Sequence, residues 1–207
     1  KPELMWDATN LTVGVSYSAK LSVVGESLVS VTKVTGLPKG LTYKSGKVSG
    51  VPTVAKAVTA KVTVALKSNA KKTWTYSVNL NVTALPTWAV GTFKGKGTFG
   101  GKDADVTLTV GKTGKISGKF VDAQKKAYSF TAASFAEFDA QGVLRTAKGT
   151  LKYGTKTCKV EIAVAEGEAA VAVTEGAAVN AGNYTATATA IDNPNYALSG
   201  PLAPAYT

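Results

Sequence analysis

The chain has 207 residues and no histidine, and it carries only one cysteine, one methionine and one arginine. Without histidine it lacks the commonest general base and the commonest metal ligand. A single cysteine, Cys158, cannot form an intrachain disulfide and cannot support a Cys-rich zinc pattern. It sits in the strand-like run CKVEIAV. With no imidazole to activate it, it reads as a packed strand residue rather than a catalytic thiol. No apolar run approaches the length of a membrane-spanning helix, so membrane insertion is not expected. No leader pattern is present, and the chain opens KPEL rather than on Met. It is expected to be a segment cut from something longer.

What is abundant points to strands. Val, Thr, Ala and Gly dominate while helix formers are scarce, and 44% of residues are apolar, enough for a real core. Period-2 alternation is clearest in TWTYSVNLNV at 73–82. There Trp74, Tyr76, Val78, Leu80 and Val82 share one face, and Thr75, Ser77, Asn79 and Asn81 the other. AKVTVAL at 60–66 alternates as well and predicts a hairpin with it. Earlier strands are expected in 11–24 and 28–34, and FAEFDAQ at 135–141 is the nearest approach to a helix.

The stretch TGLPKGLTYKSGKVSGVPT at 35–53 threads four glycines and two prolines between Leu37, Leu41, Val48 and Val51. Gly36-Leu37-Pro38 predicts a corner, Lys44-Ser45-Gly46-Lys47 a hairpin tip, and Gly50-Val51-Pro52 a strand end. No helix follows, which excludes a phosphate cradle. KTGKISG at 112–118 repeats KSGKVSG at 44–50 in form, so the same hairpin is expected twice.

GLPKGLTY, SGKVSGVPT and the alternating strand after them resemble the bacterial "putative Ig" family of immunoglobulin-like, cadherin-like surface repeats. The resemblance covers about residues 5–84, and the upstream LTVGVSYSAKLSV matches the way such domains begin. VAKAVTAKV departs from the A-G-x-Y usual after P-T. The resemblance implies an Ig-like β-sandwich and a bacterial, extracellular or cell-surface location. Ala84-Leu85-Pro86-Thr87 reads as a domain joint. The expectation is therefore an all-β chain: an Ig-like sandwich over 1–84 and a second antiparallel β domain, barrel or meander-like, over 85–207. The second half resembles, more weakly, β modules of large bacterial adhesin-type proteins. Its end, 160–207, is expected to complete that domain rather than to begin a third.

Charge falls unevenly: +8 over 1–84, +8 over 85–159 and −5 over 160–207, which holds no basic residue. The lysines are scattered singly, and Arg145 is the only arginine. Nucleic-acid readers need Arg forks and clustered stripes, so specific nucleic-acid binding is not expected. Scattered lysines keep sheets soluble, and their diffuse field attracts acidic polymers at low salt.

For chemistry, Asp103, Asp105 and Asp122 are a candidate calcium group, because loop carboxylates can supply the oxygens calcium needs. Glu137 and Asp139 could join them if the loops meet at one end, but no D-x-D-x-D-G loop is present. Glu166 and Glu168 are too close together to straddle a glycosidic bond. Trp6, Tyr43, Tyr153 and Tyr196 lie near turns and are the candidates for a carbohydrate platform, whereas Trp74 and Tyr76 read as core and Trp88 as packing at the joint. The resemblance also raises a Lys–Asn isopeptide bond at Asn79 or Asn81, although both are expected to face outward. With no catalytic motif, the expected function is non-enzymatic: a structural or adhesion segment of a surface or secreted protein. The alternative is a module for anionic polysaccharide, and a host or cell-surface protein is a further possible partner.

Overall fold

The structure is a computed structural model that describes residues 2–25, 28–99, 102–146, 148–153, 155–174, 184–188 and 190–191. The chain divides into two compact units, Lys1–Ala84 and Leu85–Thr207. Among the described residues there is no α-helix. The 135–141 segment instead holds a two-residue strand, and a single 3-10 turn spans Thr87–Ala89.

The first unit runs β1 (Glu3–Met5), β2 (Asn10–Thr12), β3 (Tyr17–Lys20), β4 (Ser22–Val24), β5 (Val29–Thr35), β6 (Leu41–Lys44), β7 (Lys47–Gly50), β8 (Ala57–Leu66) and β9 (Asn69–Thr83). A four-stranded sheet, β2-β9-β8-β5, and a three-stranded sheet, β3-β7-β6, form the sandwich, with β1 paired to β4 beside them. The alternation read from 73–82 is present: Leu80 and Val82 are buried, Tyr76 and Val78 pack on the core, and Ser77, Asn79 and Asn81 are exposed. Val48, Val62 and Val64 are fully buried at the centre. One pairing is long-range and parallel: Asn10, Leu11 and Thr12 of β2 lie beside Asn81, Val82 and Thr83 of β9.

The glycine-rich stretch works by close backbone approach. Pro38 carbonyl accepts from Leu41 N–H at 3.1 Å and closes the corner, while Val51 N–H reaches Gly40 carbonyl at 3.2 Å and Thr53 N–H reaches Lys39 carbonyl at 3.0 Å. This clamp leaves no room for side chains at its two glycines. A Cβ on Gly40 would lie 1.9 Å from Val51 carbonyl oxygen, and one on Gly50 would lie 2.1 Å from Gly40 carbonyl oxygen. At the hairpin tip Ser45 and Gly46 both adopt positive φ, 51° and 79°, as a two-residue type I′ turn requires.

The second unit contains β10 (Gly91–Phe99), β11 (Lys102–Val110), β12 (Ile116–Asp122), β13 (Ala127–Ala132), β14 (Glu137–Phe138), β15 (Leu144–Arg145), β16 (Gly149–Tyr153), β17 (Lys156–Ala165), β18 (Glu168–Thr174), β19 (Tyr184–Ala188) and β20 (Ala190–Ile191). All belong to one antiparallel sheet that meanders β10-β11-β12-β13-β16-β17-β18-β19 and returns through β20 to β10; the small β14-β15 hairpin leans on β17. This is the barrel-like domain. Its inward positions hold Phe93, Phe120, Phe130, Leu108, Leu151 and Ile162, each fully buried, so the described interior is packed rather than hollow. Cys158 is buried opposite Leu151.

The expected repetition of one hairpin fails at 112–118. Val110 pairs with Ile116 across a five-residue connection, with Gly114 N–H on Gly111 carbonyl and Gly111 N–H on Lys115 carbonyl. A type I′ turn needs positive φ at both central residues. Ser45 accepts it, but the matching position is Thr113, whose β-branch disfavours it, and only Gly114 turns positive, at 80°. The loop lengthens instead.

Candidate functional site

The three candidate aspartates do meet around one pocket of about 360 Å³ at an edge of β10-β11-β12, lined also by Lys96, Gly97 and Lys125. They do not form a metal site. Asp103 and Asp105 stand on the exposed face of β11, but Asp122 pairs opposite buried Ala104 and belongs to the other face. Its carboxylate caps its own turn, accepting from Lys126 N–H at 2.9 Å and Tyr128 hydroxyl at 3.2 Å. Asp105 faces Lys96 at 3.5 Å, both largely exposed, a pair of little energetic weight. Among the described residues no three His, Cys, Asp or Glu side chains are placed to hold a metal ion. The calcium expectation is corrected: strand alternation separates the carboxylates, and two lysines share their pocket. Glu166 lies in the two-residue β17-β18 turn and Glu168 begins β18 opposite Ala165, so the two do not share a strand.

Trp6, expected near the surface, is only 8% exposed and lies in the first unit's core. Its indole N–H donates to Tyr17 hydroxyl at 2.8 Å, which satisfies the one polar atom a buried tryptophan must place. Burial raises the Tyr17 pKa above 10.0, and the Trp6 hydrogen bond partly opposes the rise. Residues 7–83 match the family model described as a putative Ig domain, and the match ends where the second unit begins. The first unit is an immunoglobulin-like domain. A search of curated proteins gives no significant match to the chain.

In the Ig domain, Tyr43 is likewise taken up by packing. It shares the inward face of β6 with Leu41, is half-buried on the core, and donates its hydroxyl to Val31 carbonyl at 3.2 Å. Trp6 and Tyr43 therefore cannot serve as an exposed stacking platform, and that expectation is corrected for both. The signal was present for Tyr43: it stands two residues from Leu41 on a strand, so the two must share a face. Asn79 and Asn81 are exposed, Asn79 accepting from Thr59 hydroxyl at 2.9 Å, so neither sits in a core where an isopeptide bond would form. In the second unit Tyr153 ends β16 opposite Lys156, with its side chain outside the described residues, and Tyr196 lies outside them altogether. Trp88 meets Phe138 edge-on with ring centroids 6.1 Å apart, a contact within the second unit.

Asp139, considered with Glu137 as a further calcium ligand, is instead the centre of a polar cluster of its own. Asp139, at the β14-β15 turn, accepts from Val143 N–H at 2.9 Å, Gln141 N–H at 3.0 Å and Arg145 Nε at 2.9 Å. The signal was DAQGVLR: a turn-forming Asp, a glycine three residues on, here at φ 78°, and the chain's only arginine. The Val143 hydrogen bond foremost, helped by Arg145 and Gln141, holds the Asp139 pKa below 3.8. A depressed carboxylate contributes stability above its unfolded value and loses it as pH falls through the folded value. Acid unfolding of the second unit should accordingly steepen below about pH 4. The Asp139→Asn variant should be less stable at neutral pH and should show a shallower acid limb, by circular dichroism across an acid titration. Equal slopes would remove Asp139 from the account.

Proposed function

We propose that the chain is a non-catalytic structural and adhesion segment of a bacterial cell-surface or secreted protein. The observation that carries this reading is the Ig-domain match of residues 7–83. The second domain supports it. Its large aromatic and aliphatic side chains fill its interior, which leaves strands coated outside with lysine, threonine and serine. Such an exterior suits display in water and contact with other surfaces. Aromatic-platform carbohydrate binding is not favoured, since Trp6 and Tyr43 are committed to packing.

Antibodies to the 207-residue chain, applied to intact and permeabilised cells of the source organism, test location. Beads coated with the chain, scored against bare beads for retention on cell-wall and matrix preparations, test adhesion. Labelling of intact cells together with bead retention supports the reading. Labelling only after permeabilisation, or no retention above bare beads, overturns it.

A further inference from the structure

The outer face of the three-stranded sheet in the Ig domain aligns like charges. Cross-strand register sets Lys47 of β7 between Lys20 of β3 and Lys44 of β6, and all three are exposed. Leu21 N–H donates to Gly46 carbonyl at 2.8 Å. Lys20 and Lys47 are therefore a non-hydrogen-bonded pair, the closer kind, with Cα atoms about 4.5 Å apart. Two residues along each strand lies a row of hydroxyls on the same face, Ser18, Ser49 and Thr42. The rings of these strands, Tyr17 and Tyr43, turn the other way and pack on the core. The three strands contain no acid, and among the described residues no ion pair engages Lys20, Lys44 or Lys47. The unit's acids are Glu3 on β1, Asp7 after it, and Glu26, which lies outside the described residues. Strand β1 pairs with β4 rather than with this sheet. Three carboxylates against eleven lysines leave the unit at +8 wherever Glu26 stands.

We infer that this face binds a sulfated polysaccharide, which rests on the adhesion reading above and names what would be adhered to. Like charges directly opposite one another weaken a sheet. Lysine placed only to keep a strand from pairing belongs on an edge. Here β7 is the central strand, and Lys47 has a lysine on either side. A polyanion laid along the row relieves that repulsion. Charge density selects its class, because three lysine stems rise from a row only roughly 10 Å long. A glycan with a carboxylate on alternate sugars is too sparsely charged to meet them. One sulfated at several positions on each disaccharide matches them. The hydroxyl row alongside supplies donors and acceptors for the sugar hydroxyls. A nucleic acid would need stacking rings or arginine forks, and this face has neither.

Heparin oligosaccharide is the probe, titrated calorimetrically into the whole chain at physiological salt. Hyaluronan, which carries carboxylates on alternate sugars and no sulfate, and a single-stranded oligonucleotide are the comparisons. Heparin should bind, and Lys47→Gln should weaken it about tenfold, the loss of one charged hydrogen bond. Lys20→Gln should weaken it similarly, while Lys61→Gln, an exposed lysine on the other sheet, should not. Without ligand, Lys47→Gln should melt no lower than the unaltered chain, because it removes repulsion. A lower melt would make the row a folding device and overturn the inference. Equal weakening by Lys47→Gln and Lys61→Gln would reduce the row to a diffuse positive field and overturn it too. Hyaluronan or oligonucleotide binding as tight as heparin, and equally sensitive to Lys47→Gln, would overturn the choice of partner. If heparin fails to bind while coated beads are still retained, the lysine row is wrong and the adhesion reading stands; if both fail, both fall.

Discussion

Gly40→Ala should destabilise the Ig domain by roughly 3–5 kcal/mol, most of what a domain of this size possesses. Two terms add. Gly40 sits at φ 99°, where an L side chain is strained, and the new Cβ would lie 1.9 Å from Val51 carbonyl oxygen. That oxygen belongs to backbone, so relief requires β7 and the corner to move apart. The movement would break the Val51-to-Gly40 hydrogen bond and open a path to Leu41, which is 7% exposed. Gly50→Ala should behave alike, since the same clamp is approached from the other side. Gly46→Ala is the control. It has positive φ but nothing within 4 Å of its Cβ, and should cost only about 1 kcal/mol. Denaturant titration followed by hydrogen exchange on β6 to β9 checks all three, and a Gly40→Ala cost near that of Gly46→Ala would refute the clamp.

Phe120→Ala should cost the second domain about 3–5 kcal/mol. Phe120 is fully buried, with Phe99 stacked 5.2 Å away and Phe130 tilted at 5.4 Å between centroids. The packing depends on a missing side chain as much as on the rings: a Cβ on Gly118 would lie 2.2 Å from Phe130 Cζ, so the Phe130 ring occupies that space. Deleting Phe120 removes the ring that braces both neighbours, and Phe130, held over Gly118, has little freedom to collapse into the void. Phe138→Ala is the comparison, because Phe138 is 39% exposed and has its edge contact to Trp88. It should cost no more than about 1 kcal/mol. Thermal unfolding of the two variants separates a braced core from general aromatic burial, and similar shifts in both would deny Phe120 its special place.

Local patterns were legible in the sequence where one strand suffices to express them. The alternation from Trp74 to Val82, the corner at Gly36 to Pro38 and the tip at Ser45-Gly46 each depend on neighbours in the chain. The parallel pairing of β2 with β9 was not legible, because nothing in NLT specifies which distant strand it joins. The row of hydroxyls across β10, β11, β12, β13 and β16 was hidden for the same reason. Thr92, Thr109, Ser117, Thr131 and Thr150 become a line only once five registers are fixed, and a slip of one residue in any strand would turn its member inward. Trp6 was misread because proximity to a turn says little about a side chain long enough to reach the core. Its N–H needed a partner, and Tyr17 supplies it. For the acids, alternation decided the outcome: Asp103 and Asp105 share a face by spacing, but which face Asp122 takes depends on its pairing with Ala104.

Strand β2, which begins at Asn10, and the end of β9, at Thr83, run side by side in the same direction. Asn81 N–H on Thr9 carbonyl, Val13 N–H on Thr83 carbonyl and Thr83 hydroxyl on Leu11 carbonyl cross between them. Tension between those two points pulls the strands lengthwise past each other, so these bonds bear the load together and must yield together. An antiparallel hairpin pulled open at its ends would release them one after another. The domain is thus built as a shear joint, resistant along the line in which a tethered chain would be stretched.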